Sequence, residues 1–232
     1  MEKVRGIEVI AFDADDTLWE NETFFRDAEL QFVELMSEYA TKQEVLKALY
    51  DVEIANMAVY GYGIKAFMLS LIETANLLSG FQTTARQTND IIEIGKEMLD
   101  KPVQLLEGVE EVLRDLSNQF KLIVATKGDL LDQERKLKKS GLLKYFHHIE
   151  IMSDKTVDAY KSLVRHLDVK PSEILMVGNS LKSDILPVLE IGGWGVHIPF
   201  HTTWQHEIVT EKIFSERFFE RKGIKELLAL FS

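Results

Sequence analysis

The stretch from Ile7 to Thr17 reads IEVIAFDADDT, and it restricts this chain more than any other segment. An apolar run leads directly into two carboxylates, Asp13 and Asp15, and then a hydroxyl, Thr17. Residues two apart on a strand point the same way, so one strand delivers both acids to one mouth. The apolar part alternates too little for a half-exposed strand and predicts one buried on both faces of a parallel sheet. Two acids at the end of a buried strand repel each other and lose hydration. A bound cation or dianion is therefore expected beside them.

The rest of the chain changes character twice. From Asn21 to Leu99 the apolar residues recur at helical spacing, predicting four helices with no strand between them. The first is read over 21–39, and the second stops at Gly61-Tyr62-Gly63. The third ends near Gly80, and the fourth runs from Thr84 to Leu99, before Pro102. After Pro102 the pattern becomes strand–helix alternation, with strands expected near 120–125, 148–152, 173–177 and 194–198. Such alternation implies a parallel α/β sheet with right-handed crossovers. The expected fold is a Rossmann-like α/β sheet of five core strands with helices on both faces. Residues 1–17 and 105–232 would form this core, and 18–104 an inserted four-helix bundle.

Composition removes several classes of function. The formal net charge of −11 argues against a nucleic-acid partner, whose phosphates call for clustered cations. Acidic residues outnumber basic ones between Leu18 and Asp100, which disfavours a polyanionic substrate. With no cysteine there is no disulfide, thiol nucleophile or cysteine–zinc site. Neither a signal peptide nor an apolar run of about 20 residues is visible, so a cytoplasmic protein without a membrane partner is expected. Three groups read as ordinary structure: the histidines 147, 148, 197, 201 and 206 as surface or packing residues, Trp19, Phe24 and Phe25 as core, and Arg135–Lys139 as a solvated helix face.

Ligands of parallel sheets sit at the carboxyl ends of the strands. There the sequence places Asp13 and Asp15, then Thr126-Lys127-Gly128, then Asp154-Lys155, then Gly178-Asn179-Ser180 with Asp184 at a helix start. If the sheet is parallel, these converge on one crevice, an inventory suited to phosphoryl transfer: carboxylates for a divalent cation, donors for phosphoryl oxygens, a lysine to spread charge.

In these residues and their order the chain resembles the haloacid dehalogenase superfamily. Its motifs correspond to Asp13-Ala14-Asp15-Asp16-Thr17, Thr126, Lys155, and the segment Gly178 to Asp184. The resemblance implies the strand order 5-4-1-2-3; the helical insert resembles the family's type-1 cap, with hinges expected near Leu18–Glu22 and Lys101–Leu106. The resemblance implies Asp13 as nucleophile and Asp15 as general acid and base. It implies Lys155 as the charge-offsetting lysine, with Lys161 its competitor. Thr126, with backbone N–H groups around Lys127 and Ala14, would bind phosphate. Mg2+ would be held by Asp13, Asp15 through its carbonyl, Asp184 and Asn179. Two positions depart from the pattern: Asn179 stands where the family's motif has an acid, and Thr156 where a proline is common after the lysine.

Members of the family that act as dehalogenases lack the acid two residues after the nucleophile, so Asp15 implies phosphate-ester chemistry. The expected activity is a Mg2+-dependent phosphatase acting on a small phosphorylated metabolite through an aspartyl-phosphate. A phosphomutase of the β-phosphoglucomutase type and a catalytically silent phospho-ligand-binding protein are the alternatives.

Overall fold

A computed structural model describes residues 4–231. The chain divides into two compact units. One comprises the residues through Glu22, Val103–Lys127, and those from Arg135 onward; the other comprises Thr23–Pro102 with Gly128–Glu134.

The first unit is built on a parallel six-stranded sheet, β1 (Val9–Phe12), β2 (Lys121–Lys127), β3 (His148–Met152), β4 (Ile174–Gly178), β5 (Trp194–His197) and β6 (Phe218–Glu220), in the order 3-2-1-4-5-6. The five expected strands and their order hold. The sixth was not foreseen, because three residues carry no readable period. All four residues of β1 are fully buried, as a central strand covered on both faces requires. Alternate residues serve opposite faces. Ile10 and Phe12 join Leu122, Val124, Leu175 and Val177 against helix α5 (Val109–Leu116) and the terminal turn Ile224–Leu230. Val9 and Ala11 join Ile123, Ala125, Ile174 and Met176 against helix α7 (Val157–His166).

The second unit holds α1 (Glu22–Leu35), α2 (Lys42–Tyr60), α3 (Ile64–Leu78) and α4 (Ala85–Asp100). Its core is Phe32, Met36, Val45, Leu49, Phe67, Leu71, Ile91 and Met98, the residues at helical spacing. Thr41 and Thr84 open α2 and α4 with reciprocal capping boxes to Glu44 and Gln87. The first helix is shorter than its periodicity predicts. It ends at Leu35 because the Thr41 cap fixes the start of α2, leaving 36–40 for the reversal (Tyr39 N–H to Met36 O, 2.9 Å). Gly95 lets α4 approach α3; a Cβ there would lie 2.7 Å from Met68 Sδ. No described helix is long and apolar enough to cross a membrane.

Between β4 and β5 the chain does not enter a regular helix at Asp184 as expected. A π-helical turn, Leu181–Ile185, precedes a short helix α8 (Leu186–Glu190). Pro187 explains the irregularity: it has no N–H for the Ser183 carbonyl one turn back. The buried Tyr160 hydroxyl donates to that carbonyl instead, at 3.3 Å. Such wide turns concentrate at functional sites.

Candidate active site

β1 lies between β2 and β4, the point at which strand order reverses and where sheets of this kind bind ligands. The β1 register pairs Phe12 with Val124 and with Val177, and the Asp13 N–H continues the ladder to Val177 O (2.9 Å). Thr126, near the end of the neighbouring β2, is buried.

Lys155, Asp13 and Asp184 meet. The Lys155 ammonium donates to Asp13 Oδ1 and, at 2.6 Å, to Asp184 Oδ1, with all three side chains under 10 % exposed. Lys161, its competitor, instead pairs with Asp158 on the exposed face of α7 at 3.1 Å. Thr156, in the place of a proline, caps α7 by accepting the Ala159 N–H (3.2 Å). Asp184 is fixed from its other side by the Ser180 N–H, which donates to Oδ2 at 3.0 Å. Only glycine fits at 178, where a Cβ would fall 2.1 Å from that oxygen.

Burial pushes the Asp13 carboxyl up to about 7; Lys155 opposes this, and the nearby Asp184 and Asp15 charges add to it. Burial likewise works against the Lys155 charge, but the two carboxylates outweigh it and raise the ammonium above the ordinary lysine range. The end of the Asn179 side chain lies 3.2 Å from Asp13 Oδ2, 3.2 Å from the Asp15 carbonyl oxygen and 3.3 Å from Thr17 Oγ1. Turning its NH2 toward these oxygens satisfies them by hydrogen bonding. Turning its oxygen there completes a set of hard oxygen donors, the kind that Mg2+ takes. The His197 ring N–H holds the Asn179 carbonyl (3.0 Å), which gives that buried histidine a positioning role among the strand ends.

Trp19 and Lys136 hold Asp15 Oδ1. The indole N–H of the fully buried Trp19 donates to Asp15 Oδ1 at 2.7 Å, and the Lys136 ammonium to the same oxygen at 2.6 Å. Lys136 also reaches Asn21 Oδ1 (3.2 Å). Reading Arg135–Lys139 as a solvated face is therefore wrong for Lys136, whose place on α6 (Leu130–Ser140) brings its long side chain to Asp15. Asp16, in the left-handed region at φ 61°, accepts the Asn21 and Glu22 N–H groups (2.8 and 3.0 Å) and so opens α1.

Lys127, expected near phosphate, has its ammonium on Ser183 Oγ (2.9 Å) and on Glu207 Oε1. Glu207 also accepts the Ser180 and Ser183 hydroxyls, the latter at 2.7 Å. No sequence signal marks it, since it follows β5 in an irregular segment. Burial resists its charge, but Lys127 and the two serines hold the carboxyl down at about 2. A depressed carboxyl stabilises the fold above its unfolded value of 4.5, a contribution lost as the pH falls toward 2. Glu207→Gln is accordingly expected to cost on the order of 3 kcal/mol at pH 7. It should also flatten the stability profile across that acid window, measured by urea unfolding at a series of pH values.

The model of the haloacid dehalogenase-like hydrolases matches residues 7–192. The chain belongs to that family. This haloacid dehalogenase-like hydrolase is similar along its length to several solved structures. A family hydrolase from Xanthomonas campestris superposes with a TM-score of 0.86 at 34% identity, over 99% of this chain and 96% of the other. The HAD-hydrolase YfnB of Bacillus subtilis, bound to magnesium, shares the fold at 16% identity, with a TM-score of 0.67 over 97% and 99%. Among curated proteins, N-acylneuraminate-9-phosphatase of Rattus norvegicus is 22% identical over 200 residues, 80% of this hydrolase and 79% of the relative.

Proposed function

We propose that this hydrolase is a Mg2+-dependent phosphatase that cleaves a small phosphomonoester through an aspartyl-phosphate. The observation that carries the reading is the Lys155 ammonium between the Asp13 and Asp184 carboxylates, with the Asn179 amide among Asp13, Asp15 and Thr17 oxygens. Asp13, Asp184, Asn179 and the Asp15 carbonyl would hold the cation, which when bound lessens repulsion between a carboxylate and a phosphate dianion.

In this reading an Asp13 oxygen attacks phosphorus, and the bond from phosphorus to the ester oxygen breaks. Asp15 donates its proton to the departing oxygen. Water then attacks the aspartyl-phosphate, and Asp15 takes the proton back, releasing inorganic phosphate and regenerating Asp13. Lys155 offsets the charge of nucleophile and phosphate, while Thr126 and the N–H groups near Ala14 and Lys127 bind phosphoryl oxygens. The inserted helices, residues 18–104, act as the family's cap and select the substrate. Asp15 is what favours phosphate esters over haloacids, since a halide leaving group needs no proton.

The test is a panel of phosphomonoesters, sugar phosphates among them, assayed with Mg2+ and with EDTA, beside 2-haloacids assayed for halide. N-acylneuraminate 9-phosphate belongs in the panel because a relative bears its name. Metal-dependent phosphate release supports the reading. Halide release without phosphate release, or isomerised sugar phosphate in place of free phosphate, overturns it.

Lys136 is a positioning residue for Asp15. Lys136→Met should lower kcat by roughly 10- to 100-fold while KM moves little, because the proton-transferring group loses its fixed orientation. Lys136→Arg should recover part of the loss. A KM change without a kcat change would remove Lys136 from this role.

A further inference from the structure

On β3, two strands away from β1 in the sheet, three side chains outside the site converge. His148 and Glu150 stand two apart on β3, the edge strand, and so share one face. Helix α7 starts after the carboxyl end of β3 and returns to its beginning, which brings His166, in the helix's last turn, against that face. His148 Nε2 lies 2.9 Å and His166 Nδ1 3.6 Å from the same Glu150 oxygen, Oε2. The three donor atoms all lie within 4.8 Å of one another, and the two rings meet edge to face with centroids 5.0 Å apart.

We propose that His148, Glu150 and His166 form a binding site for a zinc-class divalent cation, separate from the carboxylate site at Asp13. With metal–nitrogen and metal–oxygen bonds of about 2.0–2.1 Å, tetrahedral ligand atoms stand roughly 3.4 Å apart. The two separations from Glu150 Oε2 bracket that value. The third, between the two ring nitrogens, is within 4.8 Å, and the His166 side chain is 64% exposed. Two imidazoles and one carboxylate select Zn2+, Ni2+ or Cu2+ over Mg2+, whose preference is for oxygen. The Glu150 charge and the partial negative charge at the carboxyl end of α7 both favour a cation here. Three protein ligands leave the fourth position to water. The bound ion ties the end of α7 to the sheet edge and stabilises the folded chain by mass action.

The test titrates Zn2+ calorimetrically into the full chain kept in excess Mg2+, which occupies oxygen-rich sites. Native protein should take up one equivalent more than His166→Ala, whose exposed position leaves the fold intact by circular dichroism. Glu150→Gln should weaken that equivalent at least about tenfold. Co2+ should give the visible absorption of a distorted tetrahedral site in native protein and lose it in His166→Ala. Equal uptake by native protein and His166→Ala overturns the proposal.

Discussion

Asp13→Asn is expected to reduce turnover by about 10^4-fold or more, because the amide oxygen cannot form the covalent intermediate. The variant should fold. Lys155 keeps its 2.6 Å partner in Asp184, and the Thr17 hydroxyl that donates to Asp13 Oδ2 at 3.3 Å can donate equally to an amide oxygen. Removing one of two facing carboxylates also relieves their repulsion, so the thermal midpoint should stay near that of the native chain. Steady-state turnover and unfolding measured on the same preparation check both halves. Residual activity within roughly a hundredfold of native would end the case for a covalent nucleophile at this position.

Lys155→Met should have the largest effect on stability. Asp13 and Asp184 would then face each other, buried and without their counter-charge. Removing one partner of a buried ionic cluster costs about 3–5 kcal/mol, because the charges left behind remain desolvated. For a chain of this size that lowers the thermal midpoint by roughly 6–20 °C. The double variant Lys155→Met/Asp13→Asn should recover much of the loss, since the charges share one network and their effects do not add. Added Mg2+ should raise the midpoint more in the single variant than in the native chain. An unchanged midpoint in Lys155→Met would contradict the burial argument.

The fold was readable where burial imposes a period. The Val9–Phe12 run gave a strand buried on both faces, Thr84 marked a helix start, and strand–helix alternation gave a parallel sheet, whose order followed from the family resemblance. The meeting of Lys155, Asp13 and Asp184 was readable for a related reason: parallel strands end together, so residues that follow them are neighbours however distant in sequence. What escaped detection depends on reach rather than period. Lys136 sits in a run of basic residues that resembles any solvated helix, and only its flexible stem takes it to Asp15. Glu207 lies in a segment with neither alternation nor helical spacing. His166 belongs to an otherwise unremarkable helix end and matters only because α7 returns to the start of β3.

The Glu207 contacts bear on where this molecule can be cut. The family match ends at residue 192, yet the carboxylate that fastens Ser180, Ser183 and Lys127 lies beyond it. So do the sixth strand and the Ile224–Leu230 turn that covers one face of the sheet. A fragment trimmed to the matched span would keep Asp13, Lys155 and Asp184 but lose the anchor of the loop that carries Asp184. Expression boundaries for this enzyme therefore belong after Leu230, not at the edge of the recognisable motifs.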